Sequence, residues 1–499
     1  MNIDISRRIA SARGLRQDDQ DLVLELVETW REKTLRNKLR HAYYTMHQKP
    51  MELGISVPPN LRNLEQVVGW PAKAVDILAN RSQFEGFVAR EESVQDELNA
   101  IVSANRMRTS YRRACKSELE LSCSFATVTA DPANKTPVVR MYPATSAAAT
   151  WDRAANGIKA GLVVVQLDSR RGYTTNPVWL DAFTPTDVIR IARSPGRPWT
   201  AEYLPHSMGR PLMEPLAYEA SLERPFGKSR ISRAVMNITD DAMRASVRSE
   251  VAGEFFTSPQ KYLLGVDGDP FEVEEKQTDK EGNTKTVTRH LSKWDAYIGN
   301  IFTVSKDEDG DVPTFGQLSQ GSMQPHTEYM RNLAARFSGE TNVPLSTLGI
   351  IHDNPSSAEA IYAAKEELII EAQNLNADNG DALRNIALMA LAVSHGTDFA
   401  TEAKEARGIE ARFKNPAMPS LVSQADAAIK IANVAPWFAE TDVFLEELGF
   451  NADQILRLGD ARRRHHTNQL VQAAAAPVAG ESIVEMAARA GAARSLGEQ

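Results

Sequence analysis

The residues that could do chemistry are few, and their spacing is incomplete. Phe226-Gly227-Lys228-Ser229 ends like a phosphate-binding loop, in which backbone amides and a lysine cradle phosphates and the hydroxyl holds magnesium. That loop needs a glycine five residues before the Gly-Lys pair, and Leu222 stands there; the preceding Ala217–Pro225 offers no buried apolar strand. Ser229 instead reads as the cap of the helix that follows. His465 and His466, behind Arg462, Arg463 and Arg464, have the composition of a metal or nucleic-acid patch but read as a solvated helix end. Asp240 and Asp241 cannot form a two-carboxylate site by themselves, because adjacent residues on a helix point about 100° apart, and both read as solvated charges. Cys115 and Cys123 lack the paired spacing of a zinc site and the CxxC of a redox pair, so they read as buried thiols. No Ser-His-Asp, Cys-His or HExxH arrangement stands out, and the expectation is no catalytic residue, no metal and no cofactor.

The elements that would carry these residues are read from periodicity. Asp18–Tyr44 has the apolar spacing of an amphipathic helix, Leu61–Leu78 continues as helix with Pro71 marking a bend or restart, and a third helix runs from Glu92 to about Glu120. From Ser124 the period shortens, and a β-containing insert is expected, with strands at Pro137–Tyr142, Gly161–Leu167 and Val178–Phe183. Glu202–Leu216, with Pro205, Gly209, Pro211 and Pro215, reads as a strand leading to an irregular connector.

The most regular stretch follows. Ile231, Val235, Ile238, Ala242, Ala245, Ser249, Ala252 and Phe256 alternate steps of four and three, a coiled-coil-like seam whose small members permit close helix approach. Arg230, Arg233, Arg244 and Arg248 are expected on its other faces. Positions 267–311 carry twelve acidic against six basic residues and frequent turn signals, the pattern of a small acidic β-rich projection. Helix is expected again at Met323–Ser338, then a break over Val343–Ser357, then Ala358–Ala372 and separately Asp381–Val393, with Ser356 or Ser357 as cap and Glu359 in the first turn. A helical region spans Val422–Ile455, and the Ala- and Gly-rich tail beyond about Gln472 gives little with which to specify a core.

At 499 residues the chain should form several structural regions, and its 42% hydrophobic and 24% charged residues are ordinary for a folded protein. The longest apolar run, Ile386–Val393, is far shorter than the roughly 18 residues that span a bilayer. Met1-Asn2-Ile3-Asp4 does not read as the opening of a signal peptide, so the chain is expected in the cytosol. A formal net charge of −8 disfavours a tight grip on DNA phosphates, because such affinity comes from Lys and Arg displacing counterions. A protein that lets DNA slide is compatible with it.

Four ordered segments resemble the portal family of tailed bacteriophages, in particular siphophage portals of the SPP1-like type. The first is His206-Ser-Met-Gly209-Arg-Pro211-Leu-Met-Glu-Pro215 with Phe226-Gly227-Lys-Ser229-Arg-Ile231, similar to the strand and turn before the family's stem helix. The second, Glu254-Phe-Phe-Thr-Ser258-Pro259-Gln260-Lys-Tyr-Leu-Leu-Gly265, is similar to the exit from that helix. The third and most specific is Arg336-Phe-Ser-Gly-Glu-Thr341-Asn-Val-Pro344-Leu-Ser-Thr-Leu348-Gly349, running through Asn354-Pro355-Ser-Ser357-Ala358-Glu359-Ala360-Ile361. The fourth joins Asn415-Pro416, Gln424-Ala425-Asp426-Ala427 and Leu445-Glu-Glu-Leu-Gly449. The set spans about residues 200–450, and the first 200 residues carry no matching motif.

The resemblance implies an α+β fold, mainly helical, with a β-containing wing and a small α/β clip, assembled as a ring that is usually dodecameric. Its regions map to 1–222 (wing), 223–257 (first stem helix), 258–320 (clip), 321–342 (second stem helix), 343–357 (tunnel loop), 358–412 (wing and tunnel helices), 413–470 (crown) and 471–499 (tail). Ile231, Val235, Ile238, Ala242, Ala245 and Ala252 would then pack stem helices of neighbouring subunits, and Ile350, Ile351, His352, Asp353 and Asn354 would face the DNA. The family acts at the capsid vertex as a conduit for genome packaging and ejection and does not hydrolyse ATP. Implied partners are terminase, head-completion adaptor proteins, the major capsid protein, scaffold protein and double-stranded DNA read without sequence specificity; no membrane is implied. Location would be the virion, and the host cytoplasm during assembly. The competing readings are another oligomeric head or connector component, a nucleotide hydrolase using Lys228 and Ser229, and a sequence-specific DNA-binding protein, which the charge disfavours.

Overall fold

A computed structural model describes residues 3–48, 66–168, 176–257, 261–264, 272–278, 284–290, 314–317, 322–350, 365–417, 421–450 and 452–475. It divides into two compact units, Met1–Pro416 and Ala417–Gln499.

The first unit is built on antiparallel sheets. Helices α1 (Ile3–Ala10) and α2 (Gln17–Tyr44) lead to α3 (Trp70–Ala79), β1 (Phe84–Val88), α4 (Glu92–Ala104) and α5 (Met107–Leu121). Eight strands follow: β2 (Cys123–Ala130), β3 (Pro137–Pro143), β4 (Ala147–Asp152), β5 (Gly157–Leu167), β6 (Pro177–Phe183), β7 (Asp187–Ala192), β8 (Thr200–Pro205) and β9 (Met213–Ala217). β4 to β8 form one five-stranded sheet in chain order, and β3-β2-β9 form a second. Strand alternation gives the larger sheet two apolar faces. Ala148, Leu162, Val164, Ala182 and Ile189 pack on Ile9, Val23, Leu26, Val27 and Trp30 of the first two helices. Their neighbours Ala147, Ala149, Val163, Phe183 and Val188 enter the main core.

Two long helices come next, α6 (Arg233–Thr257) and α7 (Gln324–Thr341), with β10 (Lys261–Leu264), β11 (Glu272–Thr278), β12 (Thr284–His290) and β13 (Thr314–Gln317) between them. β11 pairs with β12 and β10 with β13, both antiparallel, so the described part of the acidic segment is made of strands. The main core closes around α8 (Glu366–His395), followed by α9 (Phe399–Glu405) and β14 (Glu410–Phe413). β14 pairs with β1, joining residues more than 300 positions apart.

Several sequence expectations are corrected here. Of the helix expected over Leu61–Leu78, positions 61–65 lie outside the described residues and 66–69 are not helical; α3 begins at Trp70, so Pro71 marks the start, as the restart reading has it, in a first turn where its missing N–H costs no helical bond. The helix expected over Glu92–Glu120 is two: Arg106 takes a left-handed φ of 50°, and the Asn105 side chain donates to Ile101 O and Pro137 O and accepts from Val139 N. The two helices expected on either side of residues 373–380 are one. Leu368, Ala372, Leu375, Asn379, Leu383 and Ile386 repeat every three or four residues on its buried side, and the pattern looks broken in sequence because the fourth member is an amide. The proposed caps Ser356 and Ser357, and Glu359, lie outside the described residues.

The second unit contains α10 (Leu421–Val434), α11 (Asp442–Glu447), capped by the Thr441 hydroxyl on Phe444 N, and α12 (Ala452–Ala475). Of its described side chains only Ala428 and Ile455 are buried. His465 and His466 are exposed near the middle of α12 rather than at a helix end.

Candidate functional site

The turn between β9 and α6 brings the chemically suggestive residues into contact with four distant elements. Gly227 has φ +65°, and a β-carbon there would lie 2.2 Å from Tyr218 O, so only glycine lets the turn close on itself. Lys228 N donates to Tyr218 O at 2.9 Å, while its ammonium pairs with Glu219. The Ser229 hydroxyl, buried, donates to Glu120 O and accepts from Ile231 N at 3.0 Å. Glycine, lysine and serine are all engaged in closing the turn. Ser229 is also not the cap of α6: the Ser232 hydroxyl accepts from Val235 N at 3.2 Å and fills that role. Gly227→Ala is expected to destabilise the protein by at least about 2 kcal/mol, from the left-handed backbone and the forced retreat of Tyr218; urea denaturation measures it.

Arg230 is the centre of the junction. The sequence places it on a face away from the apolar seam, yet it is 5% exposed. Its Nε donates to Ala74 O of α3 at 2.7 Å, one terminal nitrogen donates to the Tyr218 hydroxyl at 3.1 Å and pairs with Glu371 of α8, and the other donates to Thr341 O at the end of α7. The Tyr218 hydroxyl also donates to Glu371. A guanidinium suits this place because its planar fork reaches several acceptors at once and its charge complements the carbonyl end of a helix. Burial pulls the Arg230 pKa down, and the nearby Tyr218 and Glu219 oppose that pull. Burial also lifts the Tyr218 hydroxyl above its ordinary range, with Arg230 pulling the other way. A cleft of about 420 Å³ opens beside the junction, lined by Lys228, Glu340, Glu367, Glu371 and Asp378 among others.

Beyond α7 the chain forms a compact turn. Asn342 is left-handed at φ 52°, Val343 is fully buried, Leu345–Leu348 form a 3-10 turn, and Gly349 ends it at φ +86°. Of the residues assigned to the DNA-facing loop, Ile350 is half-buried, and its N–H reaches Leu345 O at 3.3 Å. Ile351, His352, Asp353 and Asn354 lie outside the described residues.

The helical seam is placed differently from the sequence expectation. Ile231, Val235 and Ile238 belong to the main core of the chain itself, and Ala242 and Ala245 pack on Leu333 of α7. These five are therefore covered from within the chain itself, and only Ala252 of the six is partly exposed. A three-four repeat specifies that a packing partner is present, and for Ala242 and Ala245 that partner is α7 of the same chain. Asp240 and Asp241 are likewise not solvated charges. Tyr43 donates to Asp240, whose pKa burial raises, and Asp241 pairs with Arg244. Cys115 and Cys123 are buried free thiols, both pushed well up by burial. Among the described residues no cluster of His, Cys, Asp and Glu could hold a metal ion, and no helix is long and apolar enough to cross a membrane.

No protein-family model matches the sequence. Among solved structures, a chain from the virion of a native gene transfer agent particle aligns with a TM-score of 0.43 at 14% identity, covering 89% of this chain and 99% of that one. Among curated proteins, the chain is 26% identical over 420 residues to the portal protein of Mycobacterium phage D29, covering 82% of this chain and 81% of that protein. It is 26% identical over 400 residues to the portal protein of Mycobacterium phage L5, covering 78% and 77%.

Proposed function

We propose that this chain is a phage portal protein, a structural subunit of the ring at the capsid vertex through which the genome is packaged and ejected. The observation that carries this reading is the match to two phage portal proteins along about four-fifths of the chain. The junction around Arg230 supports it in kind: the residues that resemble a nucleotide loop are spent on holding helices together, as a mechanical part requires. The protein is read as non-enzymatic, with the packaging motor a separate terminase.

In this reading 1–222 forms the wing, α6 and α7 the stem, 258–320 the clip and 413–470 the crown, and the ring is a dodecamer of the siphophage type. Stem contacts between neighbouring subunits would use the charged outer faces, with exposed Arg233 and Arg248 on α6 facing exposed Glu328 and Glu340 on α7, since the apolar seam is occupied within the chain. The clip would dock terminase and then an adaptor protein, the wing would meet the major capsid and scaffold proteins, and residues 350–354 would face DNA. Net negative charge favours passage over retention of DNA.

Negative-stain electron microscopy of the purified full chain, with mass measured in parallel, tests the proposal. Rings with a central hole, wide at one end and narrow at the other, are expected. Persistent globular monomers or dimers at high concentration that hydrolyse nucleotide would overturn it in favour of an enzyme.

A further inference from the structure

The packing of α8 on α5 contains a buried polar cluster that the conduit reading does not use. Glu118 and Asn379 are both 0% exposed. Asn379 Nδ2 donates to Glu118 Oε2 at 2.9 Å and to the Tyr111 hydroxyl at 3.0 Å, and that hydroxyl lies 2.7 Å from Ser82 Oγ. Both amide hydrogens are thereby used. Two oxygens remain buried without a hydrogen-bond partner, Glu118 Oε1 and Asn379 Oδ1. With Glu118 ionised, both can only accept. An unpaired buried carboxylate is also strongly disfavoured, and the partner here is an amide rather than a cation. A single proton on the carboxyl removes both difficulties, because it neutralises the charge and turns one of the two oxygens into a donor for the other.

We propose that Glu118 is held as the neutral acid and forms a reciprocal acid–amide pair with Asn379, so that one proton clamps α8 onto α5. Loss of that proton to solvent leaves a carboxylate that can no longer donate to Asn379 Oδ1, and the clamp opens. The surroundings agree. Burial, with a smaller push from the Asp378 charge, lifts Glu118 to about 8 against the pull of its Asn379 hydrogen bond. Tyr111 and Cys115 on α5 and Cys123 on β2 are all pushed upward and stay neutral through that range. Cations on the neighbouring elements have partners of their own: Lys116 with Asp76 of α3, Arg40 on Leu121 O, His41 with Glu120, and Arg412 of β14 with Glu85 of β1.

The test compares the full chain with Glu118→Gln, whose amide keeps the shape and supplies a permanent donor. The unfolded chain loses this proton near 4.5 and the folded chain near 8, so stability conferred by the proton is lost progressively as pH rises between those values. The unfolding constant of the wild type relative to Glu118→Gln should therefore climb about tenfold per pH unit across that window and level off above it. A ratio that stays flat across the window overturns the clamp. If Glu118→Gln does not fold, carbon-13 titration of glutamate carboxyls in the wild type decides. A midpoint near 8 that moves in Asn379→Ala is expected, whereas ordinary midpoints for every carboxyl affected by Asn379→Ala would mean an ionised Glu118 and overturn the proposal.

Discussion

Replacing Arg230 by Ala should lower the unfolding free energy by about 3–5 kcal/mol, the range for removing one partner of a buried ion pair. The loss has three physical parts. Glu371 keeps its charge in a site where its second oxygen already has no partner. Ala74 O and Thr341 O lose donors in a buried place. The volume of a long side chain is left empty between α3, α7 and α8. Lysine should not rescue the variant, because an ammonium on a flexible stem cannot serve acceptors on four elements in a fixed fork. Arg230→Met combined with Glu371→Leu should recover much of the loss, because it removes both charges and refills the space. Guanidinium denaturation of the four proteins measures all of this. Equal stability of Arg230→Ala and wild type would show that the junction does not hold the helices together.

Phe337→Ala should cost a comparable amount, about 3–5 kcal/mol, the range for truncating a large buried aromatic. Phe337 is fully buried on α7 and stacks on Trp70 of α3 with ring centroids 5.3 Å apart, tilted by 50°. It anchors the last turns of α7, whose Thr341 hydroxyl donates to Phe337 O while Thr341 O accepts from Arg230. The two sites share partners, so the double variant Phe337→Ala with Arg230→Ala should lose less than the two single losses combined. Thermal or denaturant unfolding gives the coupling directly. In the portal reading both variants should also reduce the yield of rings seen by electron microscopy, because α7 would enter assembly unanchored.

Local pattern was readable in the sequence wherever one physical signal decided the outcome. The long helices over residues 17–44 and 233–257 follow from apolar spacing at three and four residues, and the change to strands after Ser124 follows from the shortened period. The departure of Phe226–Ser229 from the phosphate-loop pattern was also legible, because the missing glycine at position 222 is a matter of spacing alone.

What only the tertiary structure decided is which surfaces meet. Ile231 to Ala245 looked available to a neighbouring subunit, since a seam records the need for a partner but not its identity. The burial of Arg230 was not legible, because nothing local reveals that Ala74, Tyr218, Thr341 and Glu371 converge on it from four parts of the chain. Asn379 fell between two expected helices because it places an amide where the pattern asks for an apolar side chain, and its partners Tyr111 and Glu118 lie more than 250 positions away. Helices with an unbroken apolar repeat are set by interactions within a few residues, so sequence alone determined those here, whereas the break at Asn105–Arg106 and the continuity through Asn379 depended on partners from elsewhere in the chain. Buried polar groups are set by partners that the fold alone brings within reach, so the junction and the clamp became visible only in three dimensions.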